Sequence, residues 1–140
     1  MVYVETNHKL EVIHSERVEI FFRSDEKLNP YYCLEMDPNG RVLDYEATHY
    51  RNFNRDWQWP DDLEIQTKIE SDKYILTGKI KLKTLEDLKL LQGNQIQAGL
   101  YRGHCSALEG KKATLKWISW VDSKTPEPDF HVASLSLIHI

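Results

Sequence analysis

Glycine, proline, cysteine and blocks of basic residues are all scarce in this sequence. The 140 residues include 6 Gly and 5 Pro and no low-complexity tract, so disorder is not the expected state. Net charge is −4 with histidine neutral, and no Lys/Arg block stands out, which excludes an electrostatic grip on nucleic acid. No run of about 18 apolar residues exists, so no membrane-spanning helix is expected. The opening MVYVETNHKLEV has neither the charged n-region nor the apolar h-region of a signal peptide. The expectation is a cytosolic protein or one whose targeting segment lies outside this chain. Cys33 and Cys105 have no CxxC spacing; one disulfide is possible, but two independent buried thiols are favoured. HExxH, HxH, zinc-type Cys–His spacing, GxSxG, GxGxxG, the Walker loop and CxxCH are all missing. No metal and no cofactor are therefore expected. Met36 with His49 or His104 keeps haem ligation open as an alternative.

What is present is alternation. In RVEIFFRS, Val18, Ile20 and Phe22 share one face, and Glu19, Phe21 and Arg23 the other. In YYCLEMD, Tyr32, Leu34 and Met36 alternate with Cys33, Glu35 and Asp37. Asp37-Pro38-Asn39-Gly40 is a turn, because proline presets φ and Asn-Gly supplies a positive φ cheaply. RVLDYEA is the returning strand. LEIQTKIES and KYILTGKIKL, joined at Ser71-Asp72-Lys73, make the clearest hairpin. TLEDLKLL predicts one or two helical turns with Thr84 as N-cap. Gln95–Tyr101, Leu115–Val121 and the closing SLSLIHI are further strands. The first twelve residues offer at most a short strand. With about eight short strands and no βαβ alternation, the fold class is all-β: an antiparallel β-sandwich of immunoglobulin-like or jelly-roll type with one short helix. Residues 1–140 make one domain, in which so short an N-terminal strand can leave a sheet edge without a partner.

The residues that carry chemistry are carboxylates and aromatics. Pairing of the 18–24 and 31–37 strands can bring Glu19 and Glu35 onto one face. That is what glycoside hydrolysis would need; the plainer reading is a polar face held by Arg23 and Arg41. Trp57, Trp59, Tyr101, Trp117, Trp120 and Phe130 supply much planar surface. Sugar rings pack their C–H faces on such rings while their hydroxyls seek polar partners. Trp117 and Trp120 stand three apart on a strand and so point to opposite faces. One of them is expected in the core and the other outside.

In order along the chain, VEIFF, YYCLEMDPNGRVLD, GLYRGH, ISW and PDFH resemble the family 9-like carbohydrate-binding modules, which are similar to the wider DOMON-type β-sandwiches. The match runs from about Glu16 to the C-terminus. The resemblance implies a sandwich that binds glycans of the xylan or cellulose type without cleaving them, in the company of bacterial polysaccharide-degrading enzymes. It implies a periplasmic or extracellular location, while charge and hydropathy argue against a nucleic-acid or membrane partner. In the family, two aromatic rings clamp the end of a glycan. The second aligns with Phe130; the first falls near Ile13, where this chain has no tryptophan, and Trp57 or Trp59 could substitute for it. Glu19 matches an acid that binds sugar hydroxyls, and Glu35 faces the same pocket. Trp120 and His131 complete the expected site. The tail reads FHVASLSL, without the proline and Phe-Gly usual in the family. Three alternatives stand beside glycan binding: a glycoside hydrolase or hydrolase-associated protein, a haem-binding relative, and a sandwich that has lost the site and binds a protein partner.

Overall fold

A computed structural model describes residues 2–6, 8–60, 63–134 and the backbone of 136–139. A 3₁₀ helix, Lys9–His14, precedes β1 (Arg17–Arg23), β2 (Tyr31–Met36), β3 (Val42–Thr48) and β4 (Asn52–Asn54). The β5 (Glu64–Ile69) and β6 (Tyr74–Lys79) hairpin leads into the α-helix α1 (Leu82–Asp87). Then follow β7 (Leu91–Gln92), β8 (Gln95–Glu109), β9 (Lys112–Ser119) and β10 (Ser136–His139). The fold is all-β and sandwich-like, with little helix. One sheet of eight strands runs β10-β8-β1-β2-β3-β4, with β7 and β9 also on β8, and β5-β6 forms a separate two-stranded layer. Every pairing is antiparallel.

Period-two alternation sorts the side chains of the large sheet into two cores, because successive strand residues point to opposite faces. Phe22, Tyr32, Leu34, Met36, Ile96 and Ala98 point to one face, where Ile65, Leu76 and Leu85 of the hairpin and α1 cover them. Phe21, Tyr31, Cys33, Tyr45, Ala47 and Tyr101 point to the other, where Val12 of the 3₁₀ helix and Phe130 of the chain after β9 cover them. Both faces are thus buried, which explains why all six residues of β2 are buried.

The Asp37–Gly40 turn forms as its residues dictate. Gly40 has φ 77°, its N–H donates to the Asp37 carbonyl at 3.0 Å, and the Asp37 carboxylate accepts from the backbone N–H of Asn39 and Arg41 at 3.0 Å each. That is an Asx-type turn closed by its first side chain. Cys33 and Cys105 are separate, buried free thiols.

Three local expectations are corrected. The N-terminal segment carries a 3₁₀ helix rather than a strand, with His8 Nδ1 accepting from the Leu10 N–H at 3.3 Å. Thr84 is not an N-cap: the Thr84 N–H already bonds the Lys81 carbonyl at 3.0 Å, and α1 starts at Leu82 so that Leu85 can enter the core. The strand expected at Gln95–Tyr101 continues to Glu109, carried past a register shift between Cys105 and Ala107 by its pairing with β9. Of the closing run, Leu135 and Ile140 lie outside the described residues.

Candidate functional site

The floor of the candidate site lies where β1 and β2 pair. Their register sets Glu19 directly opposite Glu35, and Arg17, two residues before Glu19, shares the face. All three are buried, with 6%, 4% and 7% of Arg17, Glu19 and Glu35 exposed. Arg17 Nε donates to Glu19 Oε1 at 2.8 Å and lies 2.9 Å from Glu35 Oε2. Nε carries one hydrogen, and it is aligned on Glu19. Glu35 Oε2 therefore has the attraction of the cation without an aligned Arg17 N–H, and Glu19 and Tyr45 are the other hydrogen-bonding neighbours of its carboxyl. One η nitrogen of Arg17 donates to the Ile13 carbonyl at 2.9 Å, tying the 3₁₀ helix to the floor.

Two buried carboxylates beside one guanidinium cannot both ionise cheaply. Burial, and then the charge of Glu35, push the Glu19 carboxyl up to about 8. Burial also raises Glu35, against the pull of Arg17. The pair is thereby pushed toward sharing a proton, with Arg17 as its counter-charge.

The walls are aromatic. Trp117 of β9 lies across the sheet toward the floor, with the Arg17 guanidinium carbon 4.9 Å from its ring centroid. Gly103 makes that approach possible: a Cβ there would stand 3.3 Å from the Trp117 ring and 3.6 Å from Arg17 Cγ. Phe130 stacks on Tyr101 at 3.8 Å between centroids and meets Trp117 edge-on at 5.1 Å. His131 accepts or donates at Nδ1 to the Tyr31 hydroxyl, 2.8 Å away, and packs edge-on against Phe53 at 5.5 Å. Burial, helped by the nearby Arg51 charge, lowers His131 to about 4, so it is neutral at pH 7. Tyr45 of β3 and Phe53 of β4 complete the wall, in T-shaped contact at 5.1 Å.

A clasp fixes the loop that brings Phe130 and His131 in. Asp129 accepts from Arg51 at 3.0 Å, from the His131 backbone N–H at 3.1 Å and from the Tyr50 hydroxyl. The resulting cavity, about 560 Å³, is lined by floor, walls and a rim that includes Lys9, Ile13, Arg51, Arg55 and Pro128.

Four of the seven residues expected at the site meet here: Glu19, Glu35, Phe130 and His131. Ile13, where the resemblance puts the first clamp ring, also lines the cavity. Trp57, Trp59 and Trp120 do not. Trp57 packs on Tyr32 at 5.0 Å and Trp59 on Phe22 at 5.5 Å, both on the opposite face of the sheet, so neither stands in for a ring near Ile13. Trp59 is held there by its backbone N–H, which donates to Asp44 at 2.5 Å on the open end of β3. Trp120, 54% exposed, borders a second cavity on that same opposite face. Trp117 and Trp120 do point to opposite faces, as their spacing predicts, and it is Trp117 that belongs to the site. Sequence reasoning missed Arg17, Tyr45, Arg51, Phe53 and Arg55. For Arg17 a signal existed, since it alternates with Glu19 on one face of β1. For Arg51, Phe53 and Arg55 none did, because β4 is only three residues long. Comparison with protein-family models, with curated proteins and with solved structures finds no match for this chain.

Proposed function

We propose that the chain is a non-catalytic glycan-binding module whose ligand sits in the Glu19–Glu35 cavity. One observation carries this reading: two carboxyls, Glu19 and Glu35, with Arg17 between them, lie at the bottom of a cavity walled by Trp117, Phe130, Phe53 and Tyr45. The polar floor suits a sugar's hydroxyls, and the rings meet the sugar's C–H face. The resemblance to family 9-like modules points to the same ligand class, a xylan- or cellulose-type chain, bound outside the cytoplasm beside degrading enzymes.

Binding fits better than cleavage. Glycoside hydrolysis needs two carboxyls on either side of the scissile bond. Here both rise from one floor and share one guanidinium. Calorimetric titration with xylo- and cello-oligosaccharides tests the reading, with tryptophan fluorescence as a second signal from Trp117. Saturable binding is expected, with no release of reducing ends. Trp117→Ala or Phe130→Ala weakens it about ten- to hundredfold, the worth of one stacking ring. Silence with both sugar series, or undiminished affinity in both folded variants, removes the proposal. A protein-binding role is the second reading, favoured by the exposed Leu100, Ile118 and Trp120 on the other face.

A further inference from the structure

The charge around the cavity runs against that of the chain. Net charge over the whole sequence is −4, yet Lys9, Arg17, Arg51 and Arg55 all line this cavity. Three of them are committed to acids. Lys9 Nζ meets Asp44 at 3.2 Å, Arg17 serves Glu19 and Glu35, and Arg51 meets Asp129 at 3.0 Å. Arg55 has no hydrogen bond or ion pair among the described residues. Its guanidinium carbon lies 5.3 Å from the Phe53 ring centroid, a cation–π contact. Asp56, its neighbour in sequence, is exposed and does not line the cavity.

An arginine held over an aromatic ring keeps its fork of N–H donors while losing freedom to wander. That fork matches a carboxylate better than it matches a lone hydroxyl, because two parallel N–H···O bonds form at once. At the floor, Arg17 stands between the two acids as their counter-charge, 2.8 Å from Glu19 and 2.9 Å from Glu35. We infer that the cavity takes a glycan carrying a uronic acid, and that the Arg55 guanidinium recognises the uronate carboxylate. The inference rests on the glycan-binding reading above and adds a substrate class and a specificity residue to it.

The test compares two ligands of equal length on the full chain by calorimetry. One is a neutral xylo-oligosaccharide, and the other carries a single uronic acid residue. The acidic ligand is expected to bind about three- to tenfold more tightly at low salt, with the advantage shrinking in 0.5 M salt. Arg55→Gln abolishes the ratio between the two ligands, and Arg55→Lys, which keeps the charge but not the fork, retains only part of it. Equal or weaker binding of the acidic ligand overturns the inference while leaving the glycan reading standing. A preference that survives Arg55→Gln overturns the assignment to this residue. Failure of both ligands to bind removes the glycan reading and the inference together.

Discussion

Strand β1 divides two kinds of interior. On one side Arg17 and Glu19 are nearly as buried as Phe21; on the other Val18, Ile20 and Phe22 join an apolar core, with the buried Glu16 carboxylate and its partner Arg102 beside it. Both faces pack their side chains, with Val18 and Ile20 half-buried, but they are held by different physics. The apolar face gains from area removed from water and from close packing. The polar face is tolerated only because its charges satisfy one another, since an unpaired buried charge is expensive. One face therefore supplies cohesion. The other presents hydrogen-bonding groups at fixed positions, which is what a binding site requires. A two-residue period places both on one seven-residue strand.

The sharpest way to break this comparison is to remove the cation from the polar face. Arg17→Met leaves Glu19 and Glu35 buried without their counter-charge. The expected loss is about 3–5 kcal/mol of unfolding free energy at pH 7, with a smaller loss at acid pH where both carboxyls hold protons. Urea unfolding at pH 5 and pH 7.5 checks this, and equal losses at both pH values would refute it. Leu34→Ala on the apolar face is the matched control. Leu34 is 1% exposed, so its truncation costs on the order of 3 kcal/mol at either pH. It should leave sugar affinity in the folded fraction unchanged.

A gentler probe uses pH on the unaltered protein. Glu19 is raised to about 8 from an ordinary 4.5, so the folded state holds a proton that the unfolded chain releases above 4.5. Its contribution to stability is complete below 4.5 and is lost as pH rises through 8. His131 is lowered to about 4 from 6.5, so the unfolded chain binds a proton that the folded state refuses. That contribution is complete above 6.5 and is lost as pH falls through 4. Between 4.5 and 6.5 these two slopes oppose; above 6.5 His131 no longer offsets Glu19, and below 4.5 Glu19 no longer offsets His131. Stability should therefore fall on both sides, by at most about 1.4 kcal/mol per pH unit and per group. Glu19→Gln should flatten the limb between 6.5 and 8 and leave the acid limb in place. Urea midpoints across pH 4–8 decide it.

The two faces were not equally legible in the sequence. The alternation of Val18, Ile20 and Phe22 against Glu19 and Phe21, the Asp37–Gly40 turn and the β5-β6 hairpin are local patterns, and local patterns are what a sequence displays. The same-face placement of Glu19 and Glu35 followed from strand pairing, but their direct opposition depends on register, which the intervening turn and both cores settle together. Trp57 and Trp59 were misplaced for a related reason. An aromatic pair in a polar stretch carries no mark of which face it will cover. That choice is made by Tyr32 and Phe22, distant in the chain. Phe130 and His131 reach the cavity only because Asp129 is clasped by Tyr50 and Arg51, a contact between segments far apart. Long-range contacts of this kind leave no periodic trace.

The smallest expected effect gives the cleanest check that the two faces are independent. Trp120 is large, aromatic and 54% exposed, which on composition alone makes it an attractive sugar platform. Its backbone N–H bonds the Leu100 carbonyl at 3.0 Å, and its ring borders the cavity on the apolar face, with the sheet between it and Glu35. Trp120→Ala keeps that backbone bond and removes only partly buried surface, so the stability change should stay within about 0.5 kcal/mol, as for surface positions generally. Oligosaccharide affinity should not move, whereas Trp117→Ala, three residues earlier on the other face, abolishes most of it. A sugar affinity that falls in Trp120→Ala would mean that ligand reaches across the edge of β9 to both faces. The division of labour drawn from β1 would then end at that edge.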